Sequence, residues 1–217
     1  MKKILENKKM LFFAGVALVA IIVVVVILIS LFNNAGILGG KRNPDGKKFS
    51  NEYEELNNTV SEDGRNYPTV DISSNNIMKY TTTEEVLKIF EDGGDAVVYF
   101  GYASCLYCRS AVQVLCDTAE KTELDVIYYL DVEEPSSKYQ ELLDVLGERF
   151  IVGEGENREI YAPSVIFVAD GNIVSHNRGT LFSQEDPYTE LDDSQVQGLS
   201  EIYRYGIRDV LNAMQNN

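Results

Sequence analysis

The apolar positions of this chain fall into one long unbroken run followed by a series of short periodic ones. From Met10 to Phe32 the sequence reads MLFFAGVALVAIIVVVVILISLF, 23 residues without a charge. As a helix this run would span roughly 34 Å, enough to cross a hydrocarbon core of about 30 Å, so residues 10–32 are predicted to form a transmembrane helix. A cleaved secretory signal is the rival reading. Its apolar region would cover about 7–15 residues and end in a small-residue cleavage site, which Asn33-Asn34-Ala35-Gly36 matches poorly. Lys2, Lys3, Lys8 and Lys9 crowd the front of the run more tightly than Lys41, Arg42, Lys47 and Lys48 crowd its rear. That asymmetry predicts residues 1–9 in the cytoplasm and the bulk of the chain outside.

Residues 33–75 are rich in Asn, Gly, Lys, Glu, Asp and Ser and keep no period beyond one turn. They read as a flexible linker. From residue 76 to residue 217 the pattern changes to that of a folded domain. A short strand is predicted at Ile77–Tyr80. Thr81-Thr82-Thr83 followed by Glu84-Glu85 marks a helix start, with a hydroxyl cap and acids at the positive end of the dipole, and Gly93-Gly94 stops that helix. Ala96–Phe100 is an apolar run suited to a central strand buried on both faces. A helix carrying Ala111, Val112, Leu115 and Ala119 on one stripe follows, then a strand within Leu124–Val132. Ser136-Ser137 is expected to cap a helix with Tyr139, Leu142, Leu143 and Leu146 facing inward.

Ser164–Val168 and Ile173–His176 flank the turn Asp170-Gly171-Asn172 as a hairpin. Asp192-Asp193-Ser194 opens a last helix with Val196, Leu199, Ile202, Tyr203, Ile207, Val210 and Leu211 on one side. The order is β-α-β-α-β-α-β-β-α. Strands joined through helices run mostly parallel, and the short turn makes an edge hairpin antiparallel. The predicted fold class is therefore α/β, a mixed central sheet with helices on both faces.

Charge narrows the partners. The chain carries a net charge of −15, and residues 81–217 hold 9 Lys and Arg against 26 Asp and Glu. So acidic a domain is repelled by phosphate backbones, which argues against nucleic-acid binding.

The candidate chemistry lies in YFGYASCLYCRSAV, Tyr99 to Val112, where Cys105 and Cys108 stand at C-x-x-C spacing between a strand and a helix. Free N–H groups and the helix dipole favour a thiolate at the first cysteine, and the second lies close enough to close or resolve a disulfide. A structural metal site needs four ligands, and the remaining Cys116 and the single His176 lie in no second paired motif. Two packed thiols without chemistry are the plain alternative. Cys116 follows Cys105 by 11 positions, about 16 Å along a helix, beyond the roughly 4.4–6.8 Å that a disulfide spans, and reads as a small residue at the core margin, with an exposed regulatory thiol as the alternative. Arg109, directly after Cys108, is placed to add positive potential near the thiols, but most such residues point into water, which is the expectation here, and His176 is expected to sit on the hairpin surface. The segment FSQEDPYTEL, Phe182 to Leu191, reads either as a specificity loop or as an ordered surface turn.

The element order, the Cys105-Leu106-Tyr107-Cys108 motif and Ala162-Pro163 just before the hairpin together resemble the thioredoxin superfamily over residues from about 77 to 214. That resemblance implies a thioredoxin-like fold and a thiol-disulfide oxidoreductase. By it, Cys105 is the attacking thiolate, Cys108 the resolving thiol, and a cis Ala162–Pro163 the backbone segment that pairs with substrate, with Tyr107 on the rim. An ordinary strand-leading proline is the plain reading of Pro163. The resemblance also implies protein substrates carrying cysteines or disulfides, a membrane redox partner as electron source, and no bound cofactor. The chain departs from the pattern in having no Trp, Leu106-Tyr107 between the cysteines, and Tyr99 where many thioredoxins carry a buried acid. As a whole it is similar to membrane-anchored thioredoxin-like proteins of bacteria, including bacteriocin transport accessory proteins. An alternative of a different class follows from the same departures: a non-catalytic binding module for a transporter or secretion complex.

Overall fold

The computed structural model describes residues 44–133 and 136–216. The expected cytoplasmic stretch 1–9 and transmembrane helix 10–32 lie outside the described residues.

The first element corrects the linker expectation. Helix α1 (Pro44–Glu54) starts on a proline, whose missing N–H costs nothing at a first helical position, and carries Asp45 in its first turn. Phe49 and Tyr53, one turn apart, are both 0 % exposed. Beyond the helix, Val70 and Ile72 are also buried. Asn57 pins this return by donating to the Val70 carbonyl (2.7 Å) and accepting from its N–H (3.0 Å). The folded domain therefore begins by residue 44, not 76.

Strand β1 (Met78–Tyr80) leads to helix α2 (Thr83–Glu91), held by a full capping box between Thr82 and Glu85. Strand β2 (Ala96–Gly101) is buried throughout. Helix α3 (Leu106–Ala119), strand β3 (Ile127–Asp131) and helix α4 (Tyr139–Leu146) follow. The expected Ser136-Ser137 cap on α4 is absent. The N-cap is Lys138 without a side-chain bond, because the Ser136 hydroxyl donates to Glu84 Oε1 (3.2 Å) and accepts from the Lys138 N–H (3.3 Å) one residue too early.

Next comes a small antiparallel pair, β4 (Ile151–Val152) and β5 (Glu159–Ile160), which the sequence pattern did not announce. Strands β6 (Ser164–Ala169) and β7 (Asn172–Arg178) form the expected hairpin. Its turn places both Asp170 (φ 50°) and Gly171 (φ 69°) in the left-handed region. A Cβ on Gly171 would also meet the Phe90 carbonyl oxygen at 2.7 Å, so only glycine fits there. Helix α5 (Asp193–Asn216) closes the chain.

The main sheet runs β1-β3-β2-β6-β7, with β1, β3 and β2 parallel and β6 and β7 antiparallel to their neighbours. Alternation along β2 sends Val97 and Tyr99 to one face and Ala96, Val98 and Phe100 to the other. The first face packs against α1, α3 and α5 through Phe49, Val112, Leu115, Leu199, Tyr203, Ile207 and Val210. The second packs against α2 and α4 through Val86, Leu87, Leu142, Leu143 and Leu146. Val196, expected inward on α5, is 40 % exposed, whereas Gly206 takes a buried place that no apolar pattern marks. A Cβ on Gly206 would run into three ring carbons of Phe167 on β6. Gly206→Ala is expected to destabilise the domain by about 1–3 kcal/mol through overpacking, read as a lower midpoint in urea unfolding with an unchanged slope.

Candidate active site

Cys105 is the N-cap of α3, in extended conformation, and its sulfur accepts the Cys108 N–H at 3.1 Å. The two cysteines are joined as a disulfide with Cα atoms 5.1 Å apart, inside the range such bonds need. Cys108 is fully buried and Cys105 is 9 % exposed, so the outer sulfur is the one a partner reaches. This polarity is built locally. One turn of helix puts the second cysteine beneath the first, and the helix N-terminus aims unpaired N–H groups at the first.

Sheet register brings in the second half of the site. Phe100 of β2 lies opposite Ser164 of β6 in an antiparallel pair. Residues after Phe100 therefore run beside residues before Ser164, and the Ala162 carbonyl oxygen lies 4.0 Å from Cys105 Sγ. The Ala162–Pro163 peptide is cis. Pro163 is buried, and its carbonyl accepts the Gly179 N–H at 2.7 Å, tying the segment to the end of β7. Tyr107 is half-buried on the first turn of α3 and packs against the core cluster that holds the disulfide.

Behind the disulfide the structure assembles a buried tyrosine cluster. Tyr99 donates to the Cys108 carbonyl at 3.5 Å and shares a 3.0 Å hydrogen bond with Tyr53 of α1. Tyr129 of β3 stacks on Tyr99 (centroids 5.6 Å, 21°) and donates to Glu52 at 3.1 Å, and Tyr80 donates to the other oxygen of that carboxylate. Tyr53 and Tyr99 are 0 % exposed, and burial, first of all, pushes both phenols well above the ordinary value of 10.0. Charge from Tyr129 adds to this at Tyr53, and charge from Tyr53 adds to it at Tyr99. Tyr129 is pushed up in the same way, with Glu52 adding to the effect of burial.

The folded state keeps these protons above pH 10.0, where unfolded tyrosines ionise, so the unfolding free energy falls as pH rises past that point. Urea unfolding at stepped alkaline pH is expected to show this fall, and Tyr53→Phe should lessen its slope.

Four sequence readings need adjustment or placement. Arg109, expected in water, is 0 % exposed. Cys116 is buried in the same cluster as the disulfide but unpaired, and burial pushes its thiol far up. His176 lies on β7 with its ring edge-on to Phe150 (5.1 Å). Phe150 belongs to the core on the other side of the sheet from the cysteines. The 182–191 segment is an ordered surface loop. Gln184 bonds Ser110 on α3 (3.2 Å), Asp186 holds Arg65 (2.7 Å), and Tyr188 bonds Ser61 (2.7 Å), while Phe182 projects fully into solvent.

Sequence reasoning missed Tyr53 and Asn57, both now beneath the site. Pro44-Asp45 followed by Phe49 and Tyr53 at i, i+4 was the signal available for the helix.

No protein-family model matches this chain, and no curated protein matches it in sequence. Among solved structures, one similar chain is desulfothioredoxin from Desulfovibrio vulgaris Hildenborough in its reduced form. It is 22 % identical with a TM-score of 0.38, covering 60 % of this chain and 98 % of that one. Another is oxidized thioredoxin O1 from Arabidopsis thaliana, 19 % identical with a TM-score of 0.36, covering 59 % of this chain and 99 % of that one. Independently of those two likenesses, the sheet order β1-β3-β2-β6-β7, with a cysteine pair heading the helix after its central strand, makes the described domain thioredoxin-like in fold.

Proposed function

We propose that this protein is a membrane-anchored thiol-disulfide oxidoreductase working outside the cytoplasm on cysteines and disulfides of other proteins. The observation that carries the reading is the Cys105–Cys108 disulfide at the head of α3, its outer sulfur 4.0 Å from the Ala162 carbonyl. The apolar run 10–32 supplies the anchor, and the lysines before it support the orientation.

In the reducing direction, Cys105 as thiolate attacks one sulfur of a substrate disulfide. A Cys105–substrate bond forms, the substrate S–S bond breaks, and the departing thiolate takes a proton. Cys108 then loses its proton and attacks Cys105 Sγ, expelling the second substrate thiolate. Two electrons pass from the dithiol to the substrate, and the Cys105–Cys108 bond is regenerated. An external dithiol, in the cell a membrane redox partner, returns two electrons and two protons to the pair. In the oxidising direction the same steps run in reverse. The Ala162-Pro163 backbone is the edge against which a substrate strand lies, and Tyr107 borders it.

The test is turnover. The full-length chain, supplied with a small dithiol donor, is expected to reduce a disulfide-bonded protein faster than the donor alone. A rate equal to the donor alone contradicts the proposal and leaves the reading as a non-catalytic accessory module.

A further inference from the structure

Arg109 is the residue whose placement the redox chemistry described so far does not use. It follows Cys108 directly, is 0 % exposed, and is the largest fully buried side chain among the described residues. Four of its five N–H donors find acceptors. Nε donates to the Pro68 carbonyl (2.7 Å), Nη1 to the carbonyls of Tyr53 (2.7 Å) and Ala103 (3.2 Å), and Nη2 to Asn57 Oδ1 (2.7 Å). Every acceptor is neutral, and no ion pair among the described residues includes it. A buried cation is costly, and the usual remedy is a carboxylate. Here the positive charge has no acidic partner within ion-pair distance, on the residue that follows Cys108.

We propose that Arg109 is a positioning residue of the redox pair: it clamps the 53–68 segment and the Ala103 loop to the first turn of α3, and its unpaired charge stabilises the Cys105 thiolate of the reduced form. The inference rests on the oxidoreductase reading only for its use; the geometry stands without it. The Ala103 carbonyl that it holds lies two residues before Cys105 in the loop that sets the outer sulfur. A guanidinium cannot be switched off by pH, so its field is present whenever the pair is reduced. Helix-dipole stabilisation and this charge act in the same direction on a thiolate at the N-cap.

Burial raises the phenols of Tyr53 of α1 and Tyr99 of β2 and keeps them neutral, and the Tyr67 ring of the following loop lies 5.6 Å from the guanidinium. Tyr107 belongs to the same turn of α3. Asp71 and Glu190 border, with Arg109, a cavity of about 280 Å³. Those acids oppose the effect, whereas the guanidinium is bonded to the Ala103 carbonyl, two residues before Cys105.

The readout is the rate of Cys105 alkylation in the reduced full-length chain, followed by mass from mildly acidic to alkaline pH. Arg109→Met is expected to lower the rate at mildly acidic pH by about three- to tenfold and leave the alkaline plateau unchanged. Arg109→Lys keeps the charge and should recover most of the loss. Should the methionine variant fail to fold, Asn57→Asp decides. It is nearly isosteric and keeps the oxygen that accepts from Arg109 and the Val70 N–H, loses the donor to the Val70 carbonyl, and lays a carboxylate on the guanidinium, so in a folded protein it should lower the rate in the same direction. A folded Arg109→Met or Asn57→Asp protein with the wild-type profile overturns the proposal. Turnover of wild type is measured alongside. An Arg109-dependent profile without turnover upholds this inference while contradicting the oxidoreductase reading.

Discussion

Cys105→Ser is expected to lower protein-disulfide reduction to the rate of the dithiol donor alone, whereas Cys108→Ser keeps the first half of the reaction. The asymmetry follows from the site. Cys105 is the sulfur with exposure, at the helix N-cap, with the Cys108 N–H directed at it (3.1 Å). A serine hydroxyl there stays protonated at neutral pH and does not attack a disulfide. Cys108 is fully buried, so an incoming substrate meets only the outer sulfur. With Cys108 replaced, the Cys105–substrate bond forms and lacks the neighbouring thiol that expels the product. Turnover should stop at a mixed disulfide that survives denaturing electrophoresis and disappears on reduction. Equal rates for wild type and Cys105→Ser, or mixed disulfides through Cys108 in the Cys105→Ser protein, would assign the roles differently.

The second large effect concerns stability. Phe49→Ala is expected to cost about 3–5 kcal/mol, the usual range for deleting a buried phenyl ring. Phe49 is 0 % exposed and meets Tyr53 (centroids 4.7 Å) in tilted and Tyr129 (4.8 Å) in edge-on geometry. A residue in a flexible linker would change stability by a few tenths of a kcal/mol. Urea unfolding of the Phe49→Ala chain separates these outcomes. The effect should also reach the site, since Tyr53 packs on Phe49, bonds Tyr99 and offers its carbonyl to Arg109.

What could be read from the sequence, and what could not, divides along a physical line. Strands such as β2 and β6 are buried on both faces, and an apolar run of that length announces itself. The helices α2 and α5 carry periodic apolar stripes and acid-rich starts. Cys105 and Cys108 were placed because the motif falls between two such legible elements. The 44–72 segment left only a faint mark, Pro44-Asp45 and the Phe49/Tyr53 spacing, because it is held by two aromatic side chains within a polar helix and by bonds to backbone carbonyls. Those carbonyls exist at every residue and leave no mark in a sequence. Arg109 was misread for the same reason: a guanidinium that pairs with carbonyls of Tyr53, Pro68 and Ala103 has no acidic partner to betray its burial. Ser136 shows a third limit, since its hydroxyl met Glu84, 52 residues earlier in the chain, rather than the helix it precedes.

The central claim is that Cys105 and Cys108 form a pair that cycles between dithiol and disulfide. The direct measurement is a redox titration of the full-length chain in buffers of graded thiol-disulfide poise, quenched by alkylation, with the 105–108 peptide read by mass. A single two-electron transition is predicted, from two alkylated cysteines to none, while Cys116, buried and unpaired, takes no part. A peptide that stays fully alkylated, or fully protected, across the whole range of poise would contradict the account.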